Sequence, residues 1–398
     1  MAPGTGFEPT PFLSQNLFLS YLIIFMSIIK IFYALFIEQI LLNSSLIDDF
    51  SGLSLMKCYL LGAGASYGYD EKLSDLERPP LSYEFFLKGE RLGIFTKDKY
   101  PNLYQAFTQY RKRFNIENPD IEKFLSWLAT NFFKKSSLQK GEFDEIIFLQ
   151  CALGECFYFI YEILRHYSLS YKPRFDSYRR LALHYYDEKY NVITLNYDTL
   201  FENAILSVKG IFHYPPSPKM HPNSIPIVKL HGSINWFNSF GRAIAYEGLT
   251  GKEAFKKVVC SIFSNRSWIE PMKIVHPLAL KEIDVNDLIR SGIDYDEPAL
   301  IPPLEDYKDY EKVQRYKEVW SFAENILRDA NELVIIGCSL RPEDKKLREL
   351  LSGSLRKNTC ITIVNPHTER ICERLSKITQ SPNFKSTFCS FADYARTL

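Results

Sequence analysis

Short apolar runs alternate with longer amphipathic stretches along the chain from Met56 onward. Each short run is nearly continuous in apolar residues, which is typical of parallel strands that helices cover on both faces. The pattern therefore predicts an α/β fold with a Rossmann-like open parallel sheet. The predicted strands are Cys58–Gly62, Asn191–Asn196, Ile227–His231, Glu332–Gly337 and Thr359–Asn365.

Two insertions are predicted between these strands. Over about residues 97–189 the apolar positions change to helical spacing, first behind the candidate cap Asp120 and again from about Glu142 to Tyr167. The cap candidate is the whole segment Asn118-Pro119-Asp120, and the spacing predicts a helical insertion subdomain beside the sheet. Residues 237–296 combine proline, glycine and charged residues without sustained periodicity, which predicts an irregular insertion.

The leader, residues 1–55, has two interpretations that the sequence leaves open. Its segment Leu17–Ile37 is a nearly unbroken apolar stretch, interrupted by Lys30, and it is long enough for a transmembrane helix. No Lys or Arg precedes it, so its orientation is not predicted. Alternatively, the start codon is assigned too early, because Met56 stands directly before the first strand. The first interpretation predicts a membrane-anchored protein and the second a cytoplasmic one.

Charge and cysteine usage exclude several classes of function. The formal net charge is +1, from 48 basic and 47 acidic residues, so no bulk attraction to nucleic acid is expected. The eight cysteines are scattered, and no two of them have C-x-x-C spacing. This distribution is typical of reduced thiols in a cytoplasmic protein and predicts that no structural metal site is present.

The first predicted strand runs into the loop Gly62-Ala63-Gly64-Ala65-Ser66. Small residues let a backbone approach a ligand closely, and amides at a helix start favour a diphosphate. With Gly68, the spacing is G-x-G-x-x-x-G. It differs by one residue from the dinucleotide fingerprint of dehydrogenases, which disfavours hydride transfer. A tight strand-to-helix turn without a ligand is the alternative interpretation.

Small or polar residues also stand at the ends of the other four predicted strands. Each has an alternative explanation as a helix cap or turn, but the carboxyl ends of parallel strands are where open α/β sheets bind ligands. Together they predict one shared ligand crevice, in which a histidine is suited to act as a general base. The small or polar residues are Thr194, Asn196, Asp198, His231, Gly337, Ser339 and Asn365, and the apolar Leu340 follows Ser339 in the same segment.

In this order, the motifs resemble those of the sirtuin-like family, in particular its bacterial NAD-hydrolysing branch. The resemblance covers the chain from about Met56 to the C-terminus. The matching segments are the loop Gly62–Ser66, Thr194-Leu195-Asn196-Tyr197-Asp198, Lys229-Leu230-His231-Gly232-Ser233, Gly337-Cys338-Ser339-Leu340 and Val364-Asn365-Pro366.

The resemblance implies a site that binds NAD as substrate and requires no metal. It implies that Asn196 positions the nicotinamide ribose and the attacking water, that His231 is the general base, and that Asp198 contacts the carboxamide. Cleavage at a cationic nicotinamide builds oxocarbenium character and releases a neutral pyridine, so orientation of the ribose is the main requirement. The remaining matched residues, from the glycine loop to Asn365, are expected to bind NAD.

The sequence departs from the family's protein deacylases, which carry two cysteine pairs that hold zinc. After His231, the corresponding stretch contains Cys260 alone. We therefore expect an NAD hydrolase that yields nicotinamide and ADP-ribose and depletes NAD during phage infection. A sirtuin-type ADP-ribosyltransferase or deacylase and a non-catalytic NAD or ADP-ribose sensor remain alternatives. Formation of a homo-oligomer is a candidate means of control, although no sequence feature specifies an interface.

Overall fold

The computed structural model describes residues 56–137, 143–172, 176–217, 221–238, 273–283, 297–301, 314–379 and 382–398. The leader with its candidate transmembrane segment 17–37 lies outside these residues, as does most of the predicted irregular insertion. The strands are β1 (Lys57–Leu61), β2 (Tyr190–Thr194), β3 (Ile211–His213), β4 (Ser224–Lys229), β5 (Gly232–Asn238), β6 (Lys273–Ile274), β7 (Glu297–Leu300), β8 (Glu332–Ile336), β9 (Cys360–Val364) and β10 (Asn383–Phe388).

Seven of these strands form a parallel sheet in the order β10-β9-β8-β1-β2-β4-β3. The five predicted strands correspond to β1, β2, β4, β8 and β9, which confirms the Rossmann-like fold class. The edge strands β3 and β10 were not predicted. β3 is three residues long, and β10 lacks the continuous apolar run of a strand that is covered on both faces.

Helices cover both faces of the sheet and make a separate layer beside it. They are α1 (Ala63–Tyr67), α2 (Phe85–Arg91), α3 (Pro101–Phe114), α4 (Ile121–Ser137), α5 (Phe143–Leu169), α6 (Ser177–His184), α7 (Leu200–Ser207), α8 (Gln314–Asp329), α9 (Lys345–Ser354), α10 (Thr368–Ile378) and α11 (Phe391–Ala395). Short 3₁₀ helices span Asp75–Glu77 and Pro277–Glu282.

Helices α2 to α5 form a second hydrophobic core. At its centre the ring of Phe86 lies 4.4 to 5.5 Å, between centroids, from the rings of Phe95, Phe107, Phe124 and Phe159. Such aromatic pairs stabilise a core beyond their burial alone. This core begins at α2, before the predicted start near residue 97, whereas α6 packs in the core of the main sheet.

An antiparallel sheet in the order β6-β5-β7 packs against the same helices. β5 begins directly after His231, and its residues from Gly232 to Phe237 are buried. The expectation of irregular structure is wrong for residues 273–283, which contain β6 and the 3₁₀ helix that begins at Pro277. These elements are too short to produce a recognisable periodicity.

Among the described helices, α5 is long and apolar enough, over Asp144–Leu169, to cross a membrane by length and composition alone. A core helix passes the same test, and 56% of the apolar window of α5 is buried inside the structure. α5 packs against α3 and α4, so its apolar surface has protein partners. Its composition is therefore weak support for a membrane span.

The register of the main sheet brings four strand ends to one edge. Leu61 of β1 pairs with Thr194 of β2 and with Ile336 of β8, and Ile336 pairs in turn with Val364 of β9. The residues that follow these strands therefore lie side by side. The edge they form carries the candidate site.

Candidate functional site

A cavity of about 740 Å³ lies over the carboxyl ends of β1, β2, β8 and β9. Its volume falls within the range of small-molecule sites in proteins. The predicted residues that line it are Gly62, Ala63, Gly64, Ser66, Asn196, Asp198, His231, Gly337, Ser339, Leu340 and Asn365. Ala65 and Thr194 are buried and are not among the lining residues. The sequence-predicted crevice therefore exists.

Three glycines allow the ends of β1 and β8 to touch. A Cβ on Gly62 would lie 2.6 Å from the Cα of Cys338, and one on Gly64 would lie 2.8 Å from the Cα of Gly337. Gly337 has φ +60°, and a Cβ there would lie 2.0 Å from the amide nitrogen of Ala65. No side chain fits at these distances, so close packing between the two loops requires glycine at each position.

The amides of this loop are less available than the sequence suggested. The amide of Gly62 donates to the carbonyl of Ile336 at 2.9 Å, that of Gly64 to the carbonyl of Gly337 at 2.9 Å, and that of Ala65 to the carbonyl of Gly62 at 2.9 Å. The expectation that the loop offers its amides to a diphosphate is wrong for these three residues. The amides of Gly62 and Gly64 join the two strand ends, and the amide of Ala65 closes the turn within the loop.

Asn196 is held by the glycine loop in one orientation. Its Nδ2 donates to the carbonyl oxygen of Gly62 at 2.9 Å and to Oγ of Ser66 at 3.0 Å. Because a carbonyl oxygen can only accept, Nδ2 must face the loop, and Oδ1 then points away from the Gly62 carbonyl oxygen. Thr194 Oγ1 accepts the backbone N–H of Asn196 at 3.1 Å, so Thr194 acts on the site through Asn196.

Tyr178 is a buried partner of this network that sequence reasoning missed. Its hydroxyl lies 3.0 Å from Oγ of Ser66 and 3.5 Å from Nδ2 of Asn196. Burial raises the pKa of Tyr178 well above its ordinary value, so the phenol stays protonated and can donate. The residue belongs to α6, far in sequence from the strand-end motifs, and no local pattern marks it.

His231 forms a buried pair with Asp344. Its Nε2 lies 3.2 Å from Oδ2 of Asp344, whose Oδ1 caps α9 by accepting the backbone N–H of Leu347 at 3.1 Å. A carboxylate beside one ring nitrogen orients the imidazole, as it does for histidines that act in other protein sites. The imidazole also contacts the rings of Tyr197 and Trp320, with centroids 6.3 and 6.2 Å away. Asp344 was not among the predicted site residues; the signal that could have indicated it is the acidic pair Glu343-Asp344 shortly after the motif that ends at Leu340.

Asp198 lines the cavity and also bonds the first turn of α7. Its Oδ1 accepts the backbone N–H of Leu200 at 3.0 Å, at the start of α7. Beneath it, Nζ of Lys229 donates to the carbonyl oxygen of Asp198 at 2.5 Å and to Oε1 of Glu202 at 2.9 Å. Burial raises the pKa of Asp198, and the positive charge of Lys229 opposes that rise. The N-cap residue of α7 is Thr199, which makes no side-chain cap hydrogen bond, so Asp198 bonds the first turn from the preceding position, which is compatible with a place in the site.

Arg341 joins the sheet side of the cavity to the helical layer. Its guanidinium contacts Oδ2 of Asp120 at 2.9 Å and Oε2 of Glu122 at 2.8 Å, and it also donates to Oγ of Ser82. Although burial raises the pKa of Asp120, the hydrogen bond and charge of Arg341 outweigh it and lower that pKa. The helical insertion thus forms the wall that faces the strand ends.

The cavity extends over β9 to residues at the start of α10. Both polar atoms of the Asn365 side chain form hydrogen bonds within the protein. Nδ2 donates to the carbonyl oxygen of Cys338 at 3.3 Å, and Oδ1 accepts the backbone N–H of His367 at 2.9 Å. Ser339 is exposed toward this end. Leu340 has φ +46°, which turns the chain away from the strand. Among the described residues, no group of three or more His, Cys, Asp and Glu side chains is placed to hold a metal ion.

Comparison with known proteins identifies the segment that carries the central motifs. Residues 190–269 match a family model described as a SIR2-like domain. The match begins at β2 and includes Asn196 and His231, and it continues beyond the described residues. No curated protein matches the chain.

Solved structures of Sir2 proteins resemble the chain at a distance. One described as Sir2Tm bound to a propionylated peptide has 14% identity and a TM-score of 0.39, with 87% of this chain and 92% of that chain covered. One described as Sir2-p53 peptide-NAD+ has 14% identity and a TM-score of 0.37, with the same coverage. A third, on the mechanism and regulation of Sir2 enzymes, has 11% identity and a TM-score of 0.38, with 86% and 89% covered. Resemblance at this level does not specify activity.

Proposed function

We propose that the chain binds NAD in the cavity and hydrolyses the bond between nicotinamide and ribose, in keeping with the match of residues 190–269 to a SIR2-like domain model. The products are nicotinamide and ADP-ribose. The observation that carries the proposal is the convergence of Asn196 and His231 on one cavity bounded by the glycine loop. These residues come from different strand ends, and helix capping does not account for the placement of either.

In the proposed reaction, water attacks C1′ of the nicotinamide ribose as the C1′–N bond breaks. The bonding electron pair goes to the nicotinamide nitrogen, which becomes neutral, and the water proton goes to His231. Asn196 contributes Oδ1, since its Nδ2 is held by Gly62 and Ser66, and this acceptor orients a ribose hydroxyl or the water. Asp344 stabilises the imidazolium that forms and holds the ring in place.

A nicotinamide-release assay tests the catalytic assignment. Asn196→Ala and His231→Ala should each lower kcat by about 100-fold or more, the usual contribution of a positioned general base. His221→Ala is the matched control, because His221 is exposed and lies outside the cavity lining, and it should release nicotinamide at the wild-type rate. Thermal unfolding must show that all three variants are folded. Unchanged release in both site variants would contradict the assignment.

The same assay with NAD labelled in the adenosine part separates the alternatives. A hydrolase leaves the label in free ADP-ribose, an ADP-ribosyltransferase leaves it on protein, and a deacylase consumes NAD only with an acylated peptide. A non-catalytic sensor binds NAD in calorimetry without forming products. Label in free ADP-ribose without an acylated peptide supports the hydrolase, and each of the other three results would replace it with a different proposal for the same cavity.

We further propose that the activity depletes NAD during phage infection. Its support is the resemblance of the ordered motifs to the bacterial NAD-hydrolysing branch. Cells that carry the wild-type chain should lose NAD after infection and resist phage, whereas cells that carry His231→Ala should not. Equal plaque numbers in both strains would contradict this role without affecting the assignment of the hydrolase.

A further inference from the structure

Two arginines of α10 face the end of the cavity that lies over β9. Arg370 and Arg374 both line the cavity, beside Ser339 and Asn365. They are four residues apart on one helix, so their side chains project from the same face. The guanidinium of Arg374 donates to the carbonyl oxygen of Ser339, which fixes it next to the loop that follows β8.

This placement concentrates positive charge. The pKa of Arg374 is lowered, first by burial and then by the like charges of Arg370 and Arg341, while Glu343 opposes the effect. Glu373, the acidic neighbour of Arg374 in sequence, is instead paired with Lys377 at 2.6 Å. Like charges four residues apart destabilise a helix, and a bound anion between the arginines would offset that cost.

The end of β9 also lacks the group that normally selects an unphosphorylated ribose. In Rossmann-like sites an Asp or Glu beyond a strand binds the 2′-hydroxyl of NAD, whereas a nearby Arg accommodates a 2′-phosphate. Here β9 is followed by Asn365-Pro366-His367, and both ends of the Asn365 amide are engaged within the protein. Glu369, the first carboxylate after β9, is not among the residues that line the cavity, whereas Glu343, which follows β8, does line it and partly offsets the positive charge at Arg374.

We propose that Arg370 and Arg374 form a subsite for a phosphate on the adenosine ribose, so that this chain prefers the 2′-phosphorylated dinucleotide NADP to NAD. The inference rests on the proposed function, because it requires a dinucleotide in the cavity. It adds the substrate class, since guanidinium groups bind phosphate oxygens through strong charge-assisted hydrogen bonds. Nicotinamide release would proceed at the other end of the cavity by the same chemistry.

The test compares NAD and NADP as substrates of the full-length chain. Wild-type kcat/KM should be at least about tenfold higher for NADP. Each of Arg370→Gln and Arg374→Gln should lower the value for NADP by about tenfold more than the value for NAD, a difference that corresponds to about 1.4 kcal/mol. Arg328→Gln is the matched control, because Arg328 is an exposed arginine of α8 paired with Glu324 outside the cavity.

Calorimetry with ADP-ribose and 2′-phospho-ADP-ribose provides a readout that does not depend on turnover. The phosphorylated ligand should bind wild type at least about tenfold more tightly, and the double variant Arg370→Gln/Arg374→Gln should bind both ligands equally. Equal use of NAD and NADP, or an equal loss for both in the variants, would overturn the inference and leave the hydrolase proposal standing. Phosphate-dependent binding without nicotinamide release from either dinucleotide would support the subsite and reject the hydrolase.

Discussion

The buried carboxyl group of Asp176 should make the stability of this protein fall as the pH rises. Asp176 is 3% exposed, and it caps α6 by accepting the backbone N–H of Tyr178 on Oδ1 at 2.8 Å. Its Oδ2 accepts the hydroxyl of Tyr171. Burial raises its pKa to about 6, with a further contribution from Asp70, although these hydrogen bonds lower it.

The magnitude follows from the shift between the folded and unfolded states. An unfolded Asp has a pKa of about 3.9, so a folded value of about 6 is a rise of about two units, or about 3 kcal/mol. Because the folded state binds the proton more tightly, this stabilisation is fully present below about pH 4. It is lost as the pH rises through about 6.

Urea denaturation of wild type and Asp176→Asn, at several pH values from 4 to 7.5, measures this effect. The amide retains an oxygen that can cap Tyr178 but removes the charge. The free energy of unfolding of the variant, relative to wild type, should therefore increase by about 3 kcal/mol from low to neutral pH. Asp187→Asn is the matched control, since Asp187 is exposed, and it should follow the wild-type pH dependence.

Identical pH slopes for wild type and Asp176→Asn would refute the reasoning, since the carboxyl would then titrate alike in the folded and unfolded states. The variant also has a consequence for the site. The backbone N–H of Tyr178 is bonded by the cap, and its hydroxyl lies beside Ser66 and Asn196. Loss of the cap would therefore displace a partner of the proposed catalytic amide. A variant that is stable but slow in nicotinamide release would show that coupling.

Three further predictions concern the framework of the site. In a urea titration, Gly337→Ala should lower the free energy of unfolding by about 2 kcal/mol or more, because the added Cβ would clash with backbone atoms and φ is positive. Gly353→Ala is the control: a Cβ there meets nothing within 4 Å, so the change should be neutral or stabilising. Lys229→Met should cost about 3 to 5 kcal/mol, because the buried carboxylate of Glu202 loses its cationic partner and keeps, among the described residues, only the hydrogen bond from Tyr214. Adding Glu202→Gln should recover much of the loss, failing which the pair is not the cause. Asp344→Asn keeps an oxygen for the α9 cap but removes the carboxylate that pairs with His231. The kcat for nicotinamide release should therefore fall about 10- to 100-fold with little change in KM; an unchanged kcat would exclude a role in orienting the imidazole.

The sequence by itself determined the fold class and the edge of the sheet at which the site forms. Continuous apolar runs mark strands that are buried on both faces, and such strands align their carboxyl ends. Gly62, Asn196, His231, Gly337 and Asn365 could therefore be placed together without knowledge of the tertiary structure. The helices of the insertion were also predicted, because α4 and α5 are long enough to show periodicity.

Only the tertiary structure decided which groups those residues meet. The contacts of His231 with Asp344, of Ser66 with Tyr178 and of Arg341 with Asp120 join positions 113, 112 and 221 residues apart. Such pairings depend on helix packing and strand register, which no local pattern encodes. The amides of the glycine loop illustrate the same limit, because the motif predicts a close backbone approach but not that the approaching partner is the loop after β8. A sequence does not show which backbone N–H groups are already bonded, because their acceptors lie on elements that become neighbours only in the folded protein.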